Sequence, residues 1–172
     1  MTGLIHLYCG EGKGKTTAAV GLAVRASGAG KQVFFTQFFK DGSSSEVKRL
    51  RELPGVKTMH AQTVKGFYRS MTPEQREQAR KDYTALFREV AAVAFQADLL
   101  ILDEIVSACN QGVVPETLVT DFLRKKPPQL EVVLTGRNPS AALMELADYI
   151  TEMRKLRHPY DRGVAARKGI EF

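Results

Sequence analysis

The stretch Cys9-Gly10-Glu11-Gly12-Lys13-Gly14-Lys15-Thr16-Thr17 decides the fold of this 172-residue chain. It follows a short apolar run at residues 4–8 and leads into residues 18–23, whose composition favours a helix. Glycines in such a turn let successive backbone N–H groups face one anion, and the helix that follows adds its dipole. A strand, a glycine-rich turn and a helix in this order predict a phosphate-binding P-loop.

The side chains of the loop favour a nucleotide triphosphate as the ligand. Lys15 supplies a mobile cation for the outer phosphates, and the Thr16 hydroxyl is a possible ligand of Mg²⁺. The motif G-x-x-x-x-G-K-[ST] has glycine where this chain has Cys9, so a glycine-rich turn without a ligand is the alternative. The predicted ATP-binding residues of the loop are Gly10, Glu11, Gly12, Lys13, Gly14, Lys15, Thr16 and Thr17.

Charged residues follow two further apolar runs. Asp103 and Glu104 come directly after residues 99–102, and one carboxylate can hold Mg²⁺, directly or through water, while the other orders the site. Arg137 follows the run at residues 132–135, at a predicted carboxyl strand end. Ligands bind at that edge of open α/β sheets, where a guanidinium meets phosphate with two hydrogen bonds. A solvated strand end and a surface salt bridge are the respective alternatives.

Apolar runs and helical segments alternate along the rest of the chain. Strands are predicted at residues 4–8, 33–39, 99–102, 132–135 and 149–153. Helix starts are predicted at Ser43 with Glu46, at Thr72-Pro73-Glu74-Gln75 and at Asn138-Pro139. This alternation predicts an α/β fold with a mostly parallel sheet and helices on both faces. Since no linker divides the chain, we expect one domain over residues 1–172.

The composition excludes several classes of protein. With 44% hydrophobic and 26% charged residues, the chain is typical of a globular domain. The net charge of +6 is a weak indication of an anionic partner, and without a long basic block we expect no nucleic acid. Neither a membrane-spanning run nor a signal peptide is visible, so we expect a cytoplasmic protein without a membrane partner. Two cysteines and three scattered histidines fit neither a disulfide framework nor a zinc site.

Several segments, in chain order and over nearly the full length, resemble the P-loop type of ATP:corrinoid adenosyltransferase. They are GEGKGKTTAAVGLAVRASGAG, QFFK, GF, LLILDEI, LTGRNP, ADYITEM and the tail RHPYDRGVAARKGIEF. A residue other than glycine before the first glycine of the loop is characteristic of that family, which accounts for Cys9. The resemblance implies a RecA-like P-loop fold and a homodimer. It also implies transfer of the 5′-deoxyadenosyl group of ATP to cobalt(I), with release of triphosphate.

The resemblance also implies the partners and the roles of single residues. The acceptor would be cob(I)alamin, cobinamide or another corrinoid, with Mg²⁺ (or Mn²⁺) as cofactor and an electron donor such as a reduced flavoprotein. The catalytic residues carried over are Lys15, Glu104 and Arg137, and the metal ligands are Thr16, Asp103 and Glu104. Arg25 and Arg137 match positions expected to reach the nucleotide, and Gln37 and Lys40 match a strand-end motif.

The corrinoid side of the site departs from the family pattern. In one branch of the family a Gly-Phe segment is followed by a tryptophan, and these aromatic side chains close over the lower face of the corrin. This chain has Gly66-Phe67-Tyr68 and no tryptophan. Phe67 is therefore the predicted corrinoid-binding residue, and Tyr68 is the candidate replacement for the tryptophan.

Other classes share parts of this pattern. A RecA-like ATPase acting on nucleic acid shares the loop, although it would bind nucleic acid with steep salt dependence. A nucleoside kinase of the zinc-ribbon type shares the acidic strand end, although two cysteines cannot form its cysteine-rich lobe. A nucleotide-dependent switch or corrinoid carrier would catalyse nothing. The reaction products separate these classes, because only adenosyl transfer releases intact triphosphate.

Overall fold

The computed structural model describes residues 2–40, 42–61, 68 and 71–171. In these residues the strands are β1 (Ile5–Cys9), β2 (Val33–Gln37), β3 (Val56–His60), β4 (Leu99–Asp103), β5 (Glu131–Thr135) and β6 (Tyr149–Glu152). The α-helices are α1 (Lys15–Gly28), α2 (Ser45–Leu50), α3 (Pro73–Val93), α4 (Ile105–Asn110), α5 (Glu116–Lys125) and α6 (Ala141–Leu146). Short 3₁₀ turns cover Ala94–Gln96 and Pro159–Arg162.

The six strands form one sheet in the order β3-β2-β4-β5-β1-β6, and every neighbouring pair is parallel. The register sets Gln37 beside Asp103 and Tyr8 beside Thr135. The carboxyl ends of the central strands therefore meet at one edge, where α1 also begins. This architecture confirms the predicted α/β class with a RecA-like P-loop fold.

Helices cover both faces of the sheet, as the alternation predicted. Because successive side chains of a strand point to opposite faces, β4 supplies both cores: Leu100 and Leu102 to one, Leu99 and Ile101 to the other. The first core is closed by α3, α4, α5 and α6. The second is closed by α1, through Ala19, Ala23 and Ala26, and by α2, through Val47 and Leu50. Strands buried on both faces explain the continuous apolar runs in the sequence.

All five predicted strands are present in the structure, and a sixth strand, β3, was not predicted. The sequence gives no strong signal for β3, because its residues VKTMH alternate with polar side chains and all are at least partly exposed. The predicted strand at residues 33–39 ends earlier, at Gln37, and Phe39 has a left-handed φ of 57° that no strand accommodates.

The predicted helix starts are confirmed at one position and shifted at two. Thr72 forms the capping box with Gln75 ahead of α3, as predicted. The residue capping α2 is Ser44 and not Ser43, and the Ser44 hydroxyl donates to Gln37 instead of closing a capping box. The residue capping α6 is Ser140, whose hydroxyl accepts from the N–H of Leu143, and not Asn138. No helix within the described ranges combines the length and apolarity needed to cross a bilayer.

Candidate active site

The glycine-rich loop between β1 and α1 is fixed against the end of β6. The N–H of Gly12 donates to the Met153 carbonyl at 2.6 Å. A Cβ atom on either Gly10 or Gly12 would lie 2.6 Å from the same carbonyl oxygen, and Gly10 and Gly14 have φ values of 99° and 119°. Gly10 therefore requires glycine both for conformation and for space, Gly12 for space, and Gly14 for conformation.

Lys15 reaches back across this loop. Its side chain is buried, and its Nζ donates to the carbonyl oxygens of Gly10 at 2.7 Å and Gly12 at 2.8 Å. Burial lowers the pKa of Lys15, and the nearby Glu104 carboxylate opposes this effect. The structure thus holds an ammonium group at the centre of the loop, where a triphosphate would meet the backbone N–H groups.

Asp103, at the end of β4, is fully buried and saturated with hydrogen bonds. Its Oδ1 accepts from the hydroxyls of Thr16 at 2.9 Å and Thr135 at 2.8 Å. Its Oδ2 accepts from Gln37 Nε2 and Lys40 Nζ, each at 3.3 Å. Donors from α1, β5 and the end of β2 thus converge on one carboxylate. This convergence follows from the parallel register, since these strands all end at the same edge.

The neighbouring Glu104 has a different environment. It is half-buried and adopts a left-handed conformation with φ 63° and ψ 17°, which costs about 1–2 kcal/mol for a residue with a side chain. Its N–H donates to the Thr135 hydroxyl at 2.8 Å, and its Oε2 accepts from Ser107 at 2.6 Å. Thr135 therefore links the two acids, because the same hydroxyl accepts from Glu104 and donates to Asp103.

Gln37 and Lys40 of the QFFK segment connect this centre to α2. Lys40 Nζ lies 3.6 Å from Glu46 Oε1 and 3.3 Å from Asp103 Oδ2. Burial alone would lower the pKa of Lys40, but the carboxylates of Asp103 and Glu46 raise it overall. Gln37 Nε2 donates to the same Glu46 oxygen at 3.3 Å. The sequence motif marked both residues, and the structure places both beside the acidic strand end.

The structure brings Arg137 to the loop but not Arg25. Arg137 Nη1 lies 3.0 Å from Glu11 Oε2, and both side chains are more than half exposed, so this ion pair contributes little to stability. Arg25 is exposed in the last turn of α1, about 15 Å along the helix axis from Lys15. Its charge acts on the Tyr8 phenol instead, opposing the rise in the pKa of Tyr8 that burial causes.

Of the two predicted corrinoid-binding residues, Phe67 lies outside the described residues. Tyr68 is half-buried, and its ring centroid is 5.5 Å from that of Phe39. The Arg76 guanidinium lies 5.7 Å from the centroid of the Tyr68 ring. Phe39 also contacts Tyr83 of α3, with centroids 5.5 Å apart. The sequence analysis did not identify Phe39 as a neighbour of the predicted corrinoid-binding residues. Its position directly after the end of β2 was the available signal.

The C-terminal segment also lies beside the loop. A cavity of about 370 Å³ is lined on one side by Thr16, Thr17, Lys40 and Glu46, and on the other by residues 169–171. A second cleft joins the loop to residues 154–167. The sequence analysis did not predict these contacts, because the segment is mostly exposed and has no periodic pattern.

The parallel sheet, with a glycine-rich loop between β1 and α1, places the chain in the RecA-like P-loop class of α/β proteins. The family model described as ATP:corrinoid adenosyltransferase BtuR/CobO/CobP matches residues 1–172, and the chain belongs to this family. It is 36% identical to the corrinoid adenosyltransferase of Escherichia coli (strain K12), over 99% of this chain and 86% of that protein. It is 33% identical to the corrinoid adenosyltransferase CobA of Salmonella typhimurium, with coverages of 99% and 86%. The Pseudomonas aeruginosa corrinoid adenosyltransferase is 32% identical, with coverages of 99% and 84%. These matches confirm the family that the sequence motifs predicted.

Proposed function

We propose that this protein transfers the 5′-deoxyadenosyl group of ATP to the cobalt of a reduced corrinoid. In this reaction the electron pair of cobalt(I) forms the bond to C5′ of the ribose. The bond between C5′ and the α-phosphate oxygen breaks, and its electron pair leaves with the triphosphate. The observation that carries the proposal is the family match over the whole chain, residues 1–172.

The loop and its charges support this reaction through the leaving group. Negative charge grows on the triphosphate as the C5′–O bond breaks, so fixed cations and N–H donors bind the transition state more strongly than ATP. Lys15 is already desolvated within the loop, where its attraction to phosphate is stronger than in water. Arg137, beside Glu11, is the second cation that we assign to the triphosphate.

The oxygen atoms near the loop suit Mg²⁺ (or Mn²⁺). The Thr16 hydroxyl gives its proton to Asp103, which leaves its oxygen lone pairs for a cation. We propose that Thr16 and Glu104 hold the metal and that Asp103, whose two oxygens each accept two hydrogen bonds, positions Thr16. No group of three or more metal-binding side chains occurs in the described part of the chain, and Mg²⁺ usually takes few protein ligands together with phosphates and water. When bound, the metal neutralises phosphate charge.

The resemblance to the family supports proposals for the remaining partners. We propose that the acceptor is cob(I)alamin, cobinamide or another corrinoid, bound near Phe67 and Tyr68. We further propose that a reduced flavoprotein supplies the electrons for cobalt. On this proposal residues 1–172 form one domain, which acts as a homodimer in the cytoplasm without nucleic acid or membrane.

The test is an assay of products. The protein is incubated with ATP, Mg²⁺ and chemically reduced cobalamin, and absorbance follows the light-sensitive adenosylated corrinoid. Triphosphate is quantified in the same samples, and a reaction without reductant is the control. We expect adenosylated corrinoid and triphosphate in equal amounts. Formation of ADP and inorganic phosphate instead would overturn the proposal and favour the RecA-like ATPase or the nucleoside kinase.

A further inference from the structure

A strongly basic cleft lies between the loop and the C-terminal segment. Its volume is about 460 Å³, and it begins at the loop itself, because Gly12 and Lys13 line it. The cationic side chains in its lining are Lys13, Arg154, Lys155, Arg157 and Arg167. The acidic side chain in this lining is Glu171. The lining therefore carries five positive charges and one negative charge, which favours a multiply charged anion.

The 370 Å³ cavity, which shares Lys13 and Glu171 with this cleft, has no such excess of positive charge. Its charged lining residues are Lys13, Lys40, Glu46 and Glu171, so its positive and negative charges are equal. A polyphosphate that starts at the loop amides can extend toward either side. Of these two cavities, only the one lined by residues 154–167 is strongly positive, so the electrostatic energy favours that direction.

Two arginines of this cleft form no ion pair within the described residues. Lys155 pairs with Asp161 at 3.0 Å, and Arg167 pairs with Glu171 at 3.0 Å. For Arg154 and Arg157, both exposed, no ion pair occurs in the part of the chain that the structure describes. These two guanidinium groups are suited to bind phosphate oxygens with two hydrogen bonds each.

The Glu171 carboxylate occupies the position of an anion in this cleft. It accepts hydrogen bonds from Arg167 through the backbone N–H at 2.8 Å, Nη2 at 3.0 Å and Nε at 3.2 Å. These hydrogen bonds, with the charge of Lys13, hold the pKa of Glu171 at about 2. A carboxylate therefore lies in this cleft, held by the backbone and guanidinium N–H groups of Arg167.

We propose that this cleft binds the distal phosphates of a polyphosphate, and that Glu171 occupies it when no polyphosphate is bound. The proposal rests on the proposed function for the identity of the polyphosphate. In adenosyl transfer, the polyphosphate is the triphosphate of bound ATP and, after the reaction, the released triphosphate. Binding of inorganic triphosphate itself requires no corrinoid and no adenosyl transfer. Binding and activity can therefore fail separately.

The experiment measures the Kd of inorganic triphosphate by isothermal titration calorimetry on the full chain. The double variant Arg154→Gln/Arg157→Gln removes the two unpaired arginines. The control Arg80→Gln/Arg88→Gln removes the same charge from exposed positions of α3, which lines neither cleft. We expect the Kd to rise about tenfold or more in the first variant and less than about twofold in the control.

A second variant tests the role of Glu171 and should change the Kd of triphosphate in the opposite direction. Glu171→Gln removes the competing negative charge with little change of volume, so triphosphate should bind about two- to tenfold more tightly. Thermal unfolding of each variant, compared with the parent protein, confirms that the fold is intact. The conservative pair Arg154→Lys/Arg157→Lys should retain most of the affinity, because the charges remain.

The proposal is overturned if the arginine variant binds triphosphate as tightly as the parent protein, or if the control pair loses as much affinity. It is also overturned if Glu171→Gln weakens binding. Failure of the proposed function has a different signature: the parent protein forms no adenosylated corrinoid, while the triphosphate affinities still follow the expected order.

Discussion

The hydroxyl of Thr135 joins the two acidic residues of the site, and its removal gives a sharp test of this network. Thr135 is fully buried on β5, where it donates to Asp103 Oδ1 and accepts from the N–H of Glu104, both at 2.8 Å. The substitution Thr135→Val keeps the shape of the side chain and deletes both hydrogen bonds. We expect this variant to be less stable than the parent protein.

The magnitude follows from the two partners. A hydrogen bond to a charged group contributes about 1.5–3 kcal/mol, and an unsatisfied buried donor costs about 1–3 kcal/mol. Asp103 keeps the hydrogen bonds from Thr16, Gln37 and Lys40, so the total loss of stability should lie near the lower end of the sum of these two contributions. We expect the free energy of unfolding to fall by about 2–4 kcal/mol and the Tm by roughly 5–15 °C.

Thr36 provides a matched control on β2. It is also fully buried, but its Oγ1 is a buried side-chain polar atom for which no hydrogen-bond partner occurs among the described residues. Thr36→Val therefore removes an unsatisfied hydroxyl, and the free energy of unfolding should rise by about 1 kcal/mol. The same substitution, threonine to valine, is thus expected to lower the free energy of unfolding at position 135 and to raise it at position 36.

The measurement is urea unfolding of the ligand-free proteins, followed by circular dichroism. The dependence of the free energy on urea concentration should be the same in all three proteins, since each unfolds to expose a similar surface. If the two variants shift the free energy of unfolding in the same direction and by similar amounts, our account of the Thr135 network is wrong.

Three further predictions concern catalysis. Lys15→Ala should abolish turnover and weaken ATP binding by about 1.5–3 kcal/mol, because the triphosphate loses a desolvated cation; near-normal adenosylation would contradict the loop assignment. Glu104→Gln should raise the Mg²⁺ concentration needed for activity without changing thermal stability, whereas an unchanged metal dependence would indicate Asp103 or bound water as the ligand. If Phe67 binds the corrinoid as proposed, Phe67→Ala should impair adenosylation when a weak donor must reduce bound cobalt(II), because an apolar ring against the corrin would displace the axial ligand that hinders reduction. The loss should be much smaller when cobalt(I) is supplied, and an equal loss in both assays would indicate a folding or binding defect.

Much of the fold could be predicted because β2, β4 and β5 are buried on both faces. The runs around Phe35, Ile101 and Val133 are therefore largely apolar and easily found, whereas β1 alternates buried and half-buried residues around Leu7. The edge strand β3 lacked that signal because polar side chains alternate in its sequence VKTMH. The other edge strand, β6, is exposed as well, but its run at residues 149–153 was recognisable. The helix caps at Ser44 and Ser140 were displaced from the predicted positions because several polar residues compete at each start, and tertiary contacts decide between them.

The site could be predicted in part for a different reason. Parallel strands bring their carboxyl ends together, so the loop and Asp103 had to meet once β1 and β4 lay in one sheet. The sequence could not show that Asp103 is saturated while Glu104 is half-exposed, because that depends on the left-handed turn at Glu104. Nor could it predict that Glu171 returns to the loop, since an exposed segment without periodicity carries no packing signal.

The position of β1 in the sheet has a consequence for biogenesis. Its partners are β5 and β6, with Ile5 beside Val132 and His6 beside Tyr149, so β1 finds no neighbour among the strands made soon after it. Contacts between residues so distant in the chain form slowly, and a nascent chain cannot form them until its last strands have been synthesised. The glycine-rich loop is therefore synthesised before β5 and β6 but takes its final shape only after them. A ribosome-bound fragment that ends before β5 would hold the complete loop sequence without the strand pairing that shapes it.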